Sequence, residues 1–430
     1  MKPGSILTVE IEKPIAGGRM LARHGGQIVF VAGAIPGERV SARVSRVAKG
    51  VLYADAEEIL TSSSDRRPGI SDLRCGGSVL SHIAPARQLR LKGEVIEDAF
   101  RRVAKIPLGS VPVVVGSPEQ GYRMRARLHV RGQRAGFLRE GTHDLCDAEC
   151  TGQLLAATSG WVRLATETLA RKNLHDLQSI EIAENVPASE RACHLELAGG
   201  ARIESYAELA SGLTGLSAQR TGDADAVQLS GQSVVTDRLP VVRHGKSATV
   251  TLSRDVRAFF QGNRYLLEAL TTCVAELVPE GPVVDLYAGV GLFGLSLAAL
   301  GYDRVTLVEG DRVSGTDLRD NAVPFGSGIV VQRVAVEQFL RSDRTAASSS
   351  TFIVDPPRTG LSADALRGII GRAPAAVVYV SCDVATLARD SRGLIDAGYR
   401  LESLKGFDLF PNTAHIETVA SFVRAPEART

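Results

Sequence analysis

Apolar and polar positions alternate in short runs over the first sixty residues, at 6–11, 27–31, 38–44 and 51–59, with Gly17-Gly18, Gly25-Gly26 and Pro36-Gly37 between them. A period of two puts successive side chains on opposite faces of a strand, and glycine and proline mark the reversals, so this stretch predicts a small β-barrel. Residues 62–67 break the pattern and read as a linker. Helical spacing follows over 84–103, with many basic residues outward, and the segment 84–108 is expected to pack on the catalytic domain. Alternation returns from about 110 to 250, interrupted by a helical stretch at 151–172.

Beyond residue 251 the pattern changes. Strands at 283–286, 304–309, 351–355 and 376–381 are separated by helical segments at 292–300, 315–321 and 363–370, after an opening helix at 263–277. That order predicts a parallel, doubly wound sheet. The expected architecture is therefore multidomain α/β: an OB-like β-barrel at 1–62, a β-rich α+β domain at 63–250, and a doubly wound Rossmann-like domain at 251–430.

Composition narrows the class. The chain of 430 residues is 44% hydrophobic and 23% charged, and 50 Lys+Arg against 48 Asp+Glu leave a net charge of +2. Any polyanion site must come from local clustering rather than overall charge. Six cysteines in so long a chain do not make a disulfide framework, so reduced thiols and a cytoplasmic location are expected. No apolar run approaches the roughly 18–20 residues a membrane span needs, and no membrane association is expected.

In a doubly wound sheet the ligand lies outside the carboxyl ends of the strands, and Asp285, Glu309, Asp355 and Cys382 all fall there. The run Asp285-Leu286-Tyr287-Ala288-Gly289-Val290-Gly291-Leu292-Phe293-Gly294 reads as a buried strand, a glycine turn and a helix start. Glu309 ends the next strand, placed to accept hydrogen bonds from a ribose diol. The turn departs from the dinucleotide fingerprint, which favours S-adenosylmethionine over a hydride cofactor. Ser381-Cys382-Asp383 leaves an apolar strand where Thr386, Arg389 and Asp390 open a helix, whose terminal amides are expected to favour a thiolate. Asp355, ahead of Pro356-Pro357, is held in a rigid loop or caps the following helix.

These segments, with Val29–Glu38, Tyr122-Arg123-Met124-Arg125, Phe259-Phe260-Gln261-Gly262-Asn263 and Pro411-Asn412-Thr413-Ala414-His415-Ile416-Glu417, resemble the S-adenosylmethionine-dependent RNA uracil-5-methyltransferases over nearly the whole chain. The resemblance implies an N-terminal TRAM barrel, Cys382 as nucleophile, Glu417 as general base and Asp355 positioning uracil or thiol. It implies cofactor contacts from Gln261, Tyr287 and Glu309, with Asp285, Asp355 and the turn of Gly289 and Gly291 shaping the pocket. The family adds an acid after the third strand, where this chain reads Val334-Ala335-Val336-Glu337.

The ribosomal members commonly hold an iron–sulfur cluster on four cysteines; here Gly69, Cys75, Ser78 and Cys150 stand at those places, so no cluster and no metal are expected. Cys75 and Cys150 are then buried side chains or an incidental pair. Arg123, Arg125, Arg127 and Arg131 share one strand face in a stretch without acids, which suits phosphates. Arg39, Arg43 and Arg46 on the barrel, and Arg87, Arg90, Lys92, Arg101, Arg102 and Lys105, extend the basic track. Phe259 and Phe260 are candidates to stack on a flipped base.

The barrel favours 23S ribosomal RNA as substrate, with transfer RNA the alternative; no obligate protein partner is expected. Methylation of nitrogen or oxygen needs no covalent addition, so Cys382 argues against it. A non-catalytic RNA-binding protein with a relic fold is the rival from another class.

Overall fold

The computed structural model describes residues 1–69, 72–342 and 349–424. Five strands close the amino-terminal barrel in the order Ile6–Pro14, Met20–His24, Gln27–Ala32, Val51–Thr61, Arg39–Ala48. Alternate residues Leu7, Val9 and Ile11 fill its interior together with Val29, Val31, Val40 and Leu52. Met20–His24 lies outside the four runs read from the sequence. It is only 5 residues long and its first three side chains are all buried, so it carries no alternation.

The central region is a seven-stranded sheet ordered Val227–Gly231, Gly215–Arg220, Arg191–Leu197, Leu177–Glu184, Arg125–Arg131, Arg134–Leu138, Leu145–Asp147. Helix Ala156–Arg171 covers it through Trp161, Val162, Ala165 and Leu169. Cys75 is disulfide-bonded to Cys146, which corrects both the expected reduced thiols and the grouping of Cys75 with Cys150. A bridge between Cys75 and Arg139 lays the turn after Asp72 along this sheet and brings Cys75 to Cys146 on the inner face. Cys150, past the end of that strand, is exposed.

The third layer is an eight-stranded sheet ordered Ile329–Gln332, Val305–Val308, Val283–Leu286, Thr351–Val354, Ala376–Ser381, Glu417–Arg424, Tyr399–Phe407, Val114–Val115. The first five strands are parallel. Glu417–Arg424 then runs antiparallel to both its neighbours. The chain winds outward from Val283–Leu286 and returns on the other side at Thr351–Val354, which opens a crevice at the carboxyl ends of those strands.

Two pieces from earlier in the chain complete this domain. The hairpin Val234–Arg243 and Lys246–Asp255 buries Leu239, Val241, Val250 and Leu252 in one face of its core, so the expected boundary at 250/251 falls inside the hairpin's second strand. Helix Pro85–Ala99 and the π-helical turn Phe100–Ala104 bury Ile96, Phe100 and Ala104 in the opposite face. Lys92, 2% exposed, pairs with Asp408 at 2.5 Å. It is therefore a packing element and not part of a phosphate track. No helix among the described residues is long and apolar enough to cross a membrane.

Candidate active site

Asp285 is the third residue of strand Val283–Leu286 and is fully buried. Its Oδ2 accepts a hydrogen bond from the Gly294 amide at 2.8 Å, tying the start of helix Leu292–Ala299 back to the strand. Burial pushes this carboxyl up to about 8 against the pull of that amide, and Oδ1 has no hydrogen-bond partner among the described residues. Between strand and helix the backbone turns through positive φ at Tyr287 (62°), Gly289 (56°) and Gly291 (101°). A left-handed tyrosine is costly, and such strain gathers where a backbone is shaped for a ligand.

A Cβ on Gly294 would lie 2.2 Å from Leu307 Cδ2 and 2.9 Å from Asp285 Oδ2. Gly294→Ala is therefore expected to cost about 1–3 kcal/mol of stability by overpacking and to weaken cofactor binding. Thermal melting and equilibrium titration with S-adenosylhomocysteine check this.

Glu309 follows the next strand, and its two oxygens hold the Gly289 amide (2.8 Å) and the Asp311 amide (2.6 Å). Each oxygen keeps a lone pair for a ribose hydroxyl. Burial raises this carboxyl above its usual range. Gly289, Tyr287, Glu309 and Gln261 line one cavity of about 610 Å³, whereas Asp285 and Gly291 do not line it. Glu337 is outside the cavity and accepts a hydrogen bond from Ser362 Oγ, so the family's further acid is not at this wall.

Cys382, Asp355 and Glu417 line the same cavity. The sheet register explains it: Ser381, next to Cys382, pairs with Thr418, next to Glu417, across adjacent antiparallel strands. Asp355 leaves the neighbouring strand Thr351–Val354 and accepts a hydrogen bond from Gln261 Nε2 at 3.3 Å. It does not cap the helix after Pro357; Ser362 does.

The electrostatics of the three groups are linked. Burial raises Asp355 to about 7, partly opposed by the Gln261 amide. Burial raises Glu417 well above the carboxylate range, with Asp355 adding repulsion and Arg358 opposing it. Glu417 Oε1 has no hydrogen-bond partner among the described residues. Burial, then Glu417 and Asp355, push the Cys382 thiol up to about 11, against Arg358. The expected thiolate at a helix end is thus corrected: Asp383 caps that helix and takes the Thr386 amide itself. Arg358 is the site residue that sequence reading left without a role. Its guanidinium lies 3.5 Å from His415 Nε2.

The arginine strand keeps its period of two, with Ala126, Leu128 and Val130 buried between outward arginines. The absence of nearby acids does not survive folding. Glu181 lies 3.6 Å from Arg125 and 3.7 Å from Arg127, and Glu196 pairs with Arg127. Arg131 donates to the His143 carbonyl. Arg123 donates to Gln153 Oε1 at 2.7 Å and lies over the rings of Phe137 and Phe410.

Arg123 and Arg125 line the cavity; Arg127 and Arg131 do not. Phe259 and Phe260 both line the cavity; Phe259 is 59% exposed with Arg125 5.8 Å from its ring, and Phe260 is buried with Arg254 4.3 Å from its ring. On the barrel Arg43 is paired with Glu57, and Arg46 stacks on Tyr53 at 4.1 Å.

A doubly wound domain with a glycine turn, an acid just after the next strand and a cavity at the carboxyl ends of its strands fits the S-adenosylmethionine-dependent methyltransferase class. Comparison with known proteins agrees. The TRAM domain family matches residues 1–56, and the tRNA (Uracil-5-)-methyltransferase family matches residues 334–424. An uncharacterized RNA methyltransferase of Streptomyces avermitilis is 31% identical over 97% of this chain and 98% of its own length. The 23S rRNA (uracil(1939)-C(5))-methyltransferase RlmD of Azoarcus sp. is also 31% identical, over 97% of this chain and 99% of its own.

The fold is similar to that of the Pyrococcus abyssi tRNA (uracil-54, C5)-methyltransferase, solved in complex with S-adenosyl-L-homocysteine. The TM-score is 0.74 at 23% identity, covering 97% of this chain and 100% of that one. The chain belongs to the TRAM-bearing RNA uracil-5-methyltransferases.

Proposed function

We propose that this chain methylates C5 of one uridine in 23S ribosomal RNA through a covalent adduct between Cys382 and C6 of the base. The observation that carries the reading is the meeting of Cys382, Glu417 and Asp355 in one cavity with the glycine turn. The turn, Glu309 and Gln261 fit S-adenosylmethionine, which when bound supplies a methyl group on an electrophilic sulfonium. The uracil C5 is a poor nucleophile until sulfur adds at C6 and makes the ring an enolate.

Arg358 favours the anionic form of the thiol, and Asp355 with Gln261 positions the uracil edge. After methyl transfer Glu417 removes the C5 proton, the C5–C6 double bond re-forms, and the electron pair of the C6–S bond returns to sulfur. A base stacked in a helix hides its C6 face, so the uridine enters flipped or from a single-stranded loop. In this reading Arg123, Arg125 and Phe259 meet the RNA at the cavity, Arg127 meets it only by giving up Glu181 and Glu196, and Arg131 only by giving up the His143 carbonyl. The three-domain division, a TRAM barrel near 1–62, a central RNA-binding part and a methyltransferase part, belongs to the same proposal, with no iron–sulfur cluster.

The relative named for position 1939 of 23S rRNA spans almost the whole of this chain, which favours that RNA. The test is mass mapping of 5-methyluridine in ribosomal and transfer RNA from cells with and without the protein. Loss confined to 23S rRNA is the expected result; loss confined to transfer RNA overturns the substrate.

A further inference from the structure

The loop that delivers Glu417 is held from the other half of the chain. Asn412 lies in the left-handed region at φ 64° and is 1% exposed. Its amide donates to Gln88 Oε1 at 3.0 Å, and its Oδ1 accepts from Gln88 Nε2 at 2.9 Å. Arg67 adds a second donor to the same Oδ1 at 3.0 Å, and the Leu80 amide donates to the Asn412 carbonyl at 2.9 Å. Gln88 is itself 2% exposed, and its Nε2 also donates to the carbonyls of Leu80 and Ile83. One turn further along the same helix, Lys92 pairs with Asp408 and donates to the Phe410 carbonyl at 3.3 Å.

Glu417 begins its strand opposite Phe407, so the segment from Asp408 to Ile416 is a closed excursion between two paired positions. Gln88 and Lys92 are the residues of helix Pro85–Ala99 that hold its backbone, beside the Leu80 amide on Asn412 and Asn263 on the Leu409 carbonyl. A buried polar hub in which the Asn412 amide, carbonyl and Oδ1 are all engaged favours one conformation, and losing one partner strands the other.

We infer that Gln88 is a positioning residue for proton removal by Glu417, acting through Asn412. This rests on the covalent reading above. The step concerned is the last: Glu417 takes the C5 proton, that C–H pair becomes the C5–C6 double bond, and the C6–S pair returns to Cys382. Addition of sulfur and methyl transfer depend on Cys382 and Asp355, which sit on strands that Gln88 does not touch. Loosening the loop should therefore slow release and spare addition.

The experiment compares wild type, Gln88→Leu, Gln88→Glu and Asn412→Gly in single turnover with unmodified substrate RNA, following the denaturation-resistant protein–RNA adduct. Asn412→Gly allows the left-handed backbone and removes the side-chain amide that Gln88 holds, which covers the case in which Gln88→Leu does not fold. The expected result for Gln88→Leu and Asn412→Gly is adduct formation within about twofold of wild type and release slowed about tenfold, with a standing adduct in the steady state. Gln88→Glu, which keeps the Oε1 acceptor, should fall between.

Equal slowing of formation and release, or unchanged release, overturns the inference. If Glu417→Gln accumulates adduct while the Gln88 and Asn412 variants do not, the covalent reading stands and the positioning role alone is lost. If no variant and not even wild type with 5-fluorouridine RNA yields an adduct, the covalent reading falls and takes this inference with it.

Discussion

Cys382→Ala is expected to abolish methyl transfer, by roughly 10⁴-fold or more, since removing a covalent nucleophile takes away the step itself and not one contact within it. RNA carrying 5-fluorouridine should form a denaturation-resistant adduct with the wild-type protein in the presence of S-adenosylmethionine, because fluorine at C5 cannot leave as a proton does. The alanine variant should form none. Cys382 is only partly buried, at the end of a strand whose other residues are buried, so the smaller side chain leaves the core intact and its melting temperature should stay near wild type. Residual methylation by Cys382→Ala above the enzyme-free control would falsify the covalent route.

Glu417→Gln should lower turnover by roughly 10²–10⁴-fold, the usual worth of a general base, yet adduct should build up on ordinary RNA. Where Glu417 is ionised it raises the Cys382 thiol by repulsion, which the neutral amide removes while Arg358 remains; where burial keeps it protonated, the amide changes no charge. Sulfur addition should therefore be unimpaired or faster in the variant, and only release should stall.

For wild type the sign of the pH dependence follows from the directions of the shifts. Burial holds Glu417 protonated well above the ordinary carboxylate range, and the thiol sits near 11. In the proposed mechanism the base and the nucleophile both act deprotonated, so activity should climb across pH 6 to 9 and fall as pH drops. A profile flat over that interval contradicts the assignment. Asp355, near 7, titrates inside the window and should add curvature that Asp355→Asn removes.

The amino-acid order made the barrel, the glycine turn and Cys382 legible because each is local. Alternation over six residues, glycines at a turn and a polar triplet at a strand exit need no knowledge of distant partners. Glu417 was readable only through the resemblance, since a lone acid after a loop carries no periodic signal. Arg358 had one clue, the rigid Pro356-Pro357 pair that turns it back beside Asp355, and nothing in its spacing says it faces a thiol.

The arginines at 123 to 131 show the limit from the other side. Their shared face follows from period two, but the glutamates that meet them sit on the strands Leu177–Glu184 and Arg191–Leu197, and that register is invisible in one segment. The bond between Cys75 and Cys146, 71 residues apart, fails to announce itself for the same reason.

The last strand of the catalytic sheet is the pair Val114–Val115, hydrogen-bonded to Gly406 and Phe407. Those partners leave the ribosome some 290 residues later, so synthesis stores an unpaired edge and a bare helix face until the carboxyl-terminal strands arrive. Residues 251–430 made alone would lack that edge, the hairpin strand and the helix carrying Ile96 and Phe100, leaving adhesive surface exposed. The methyltransferase part is for this reason built from both halves of the chain, and shuffling residues 251–430 into another chain should yield aggregate where a cut at a true module boundary would yield protein.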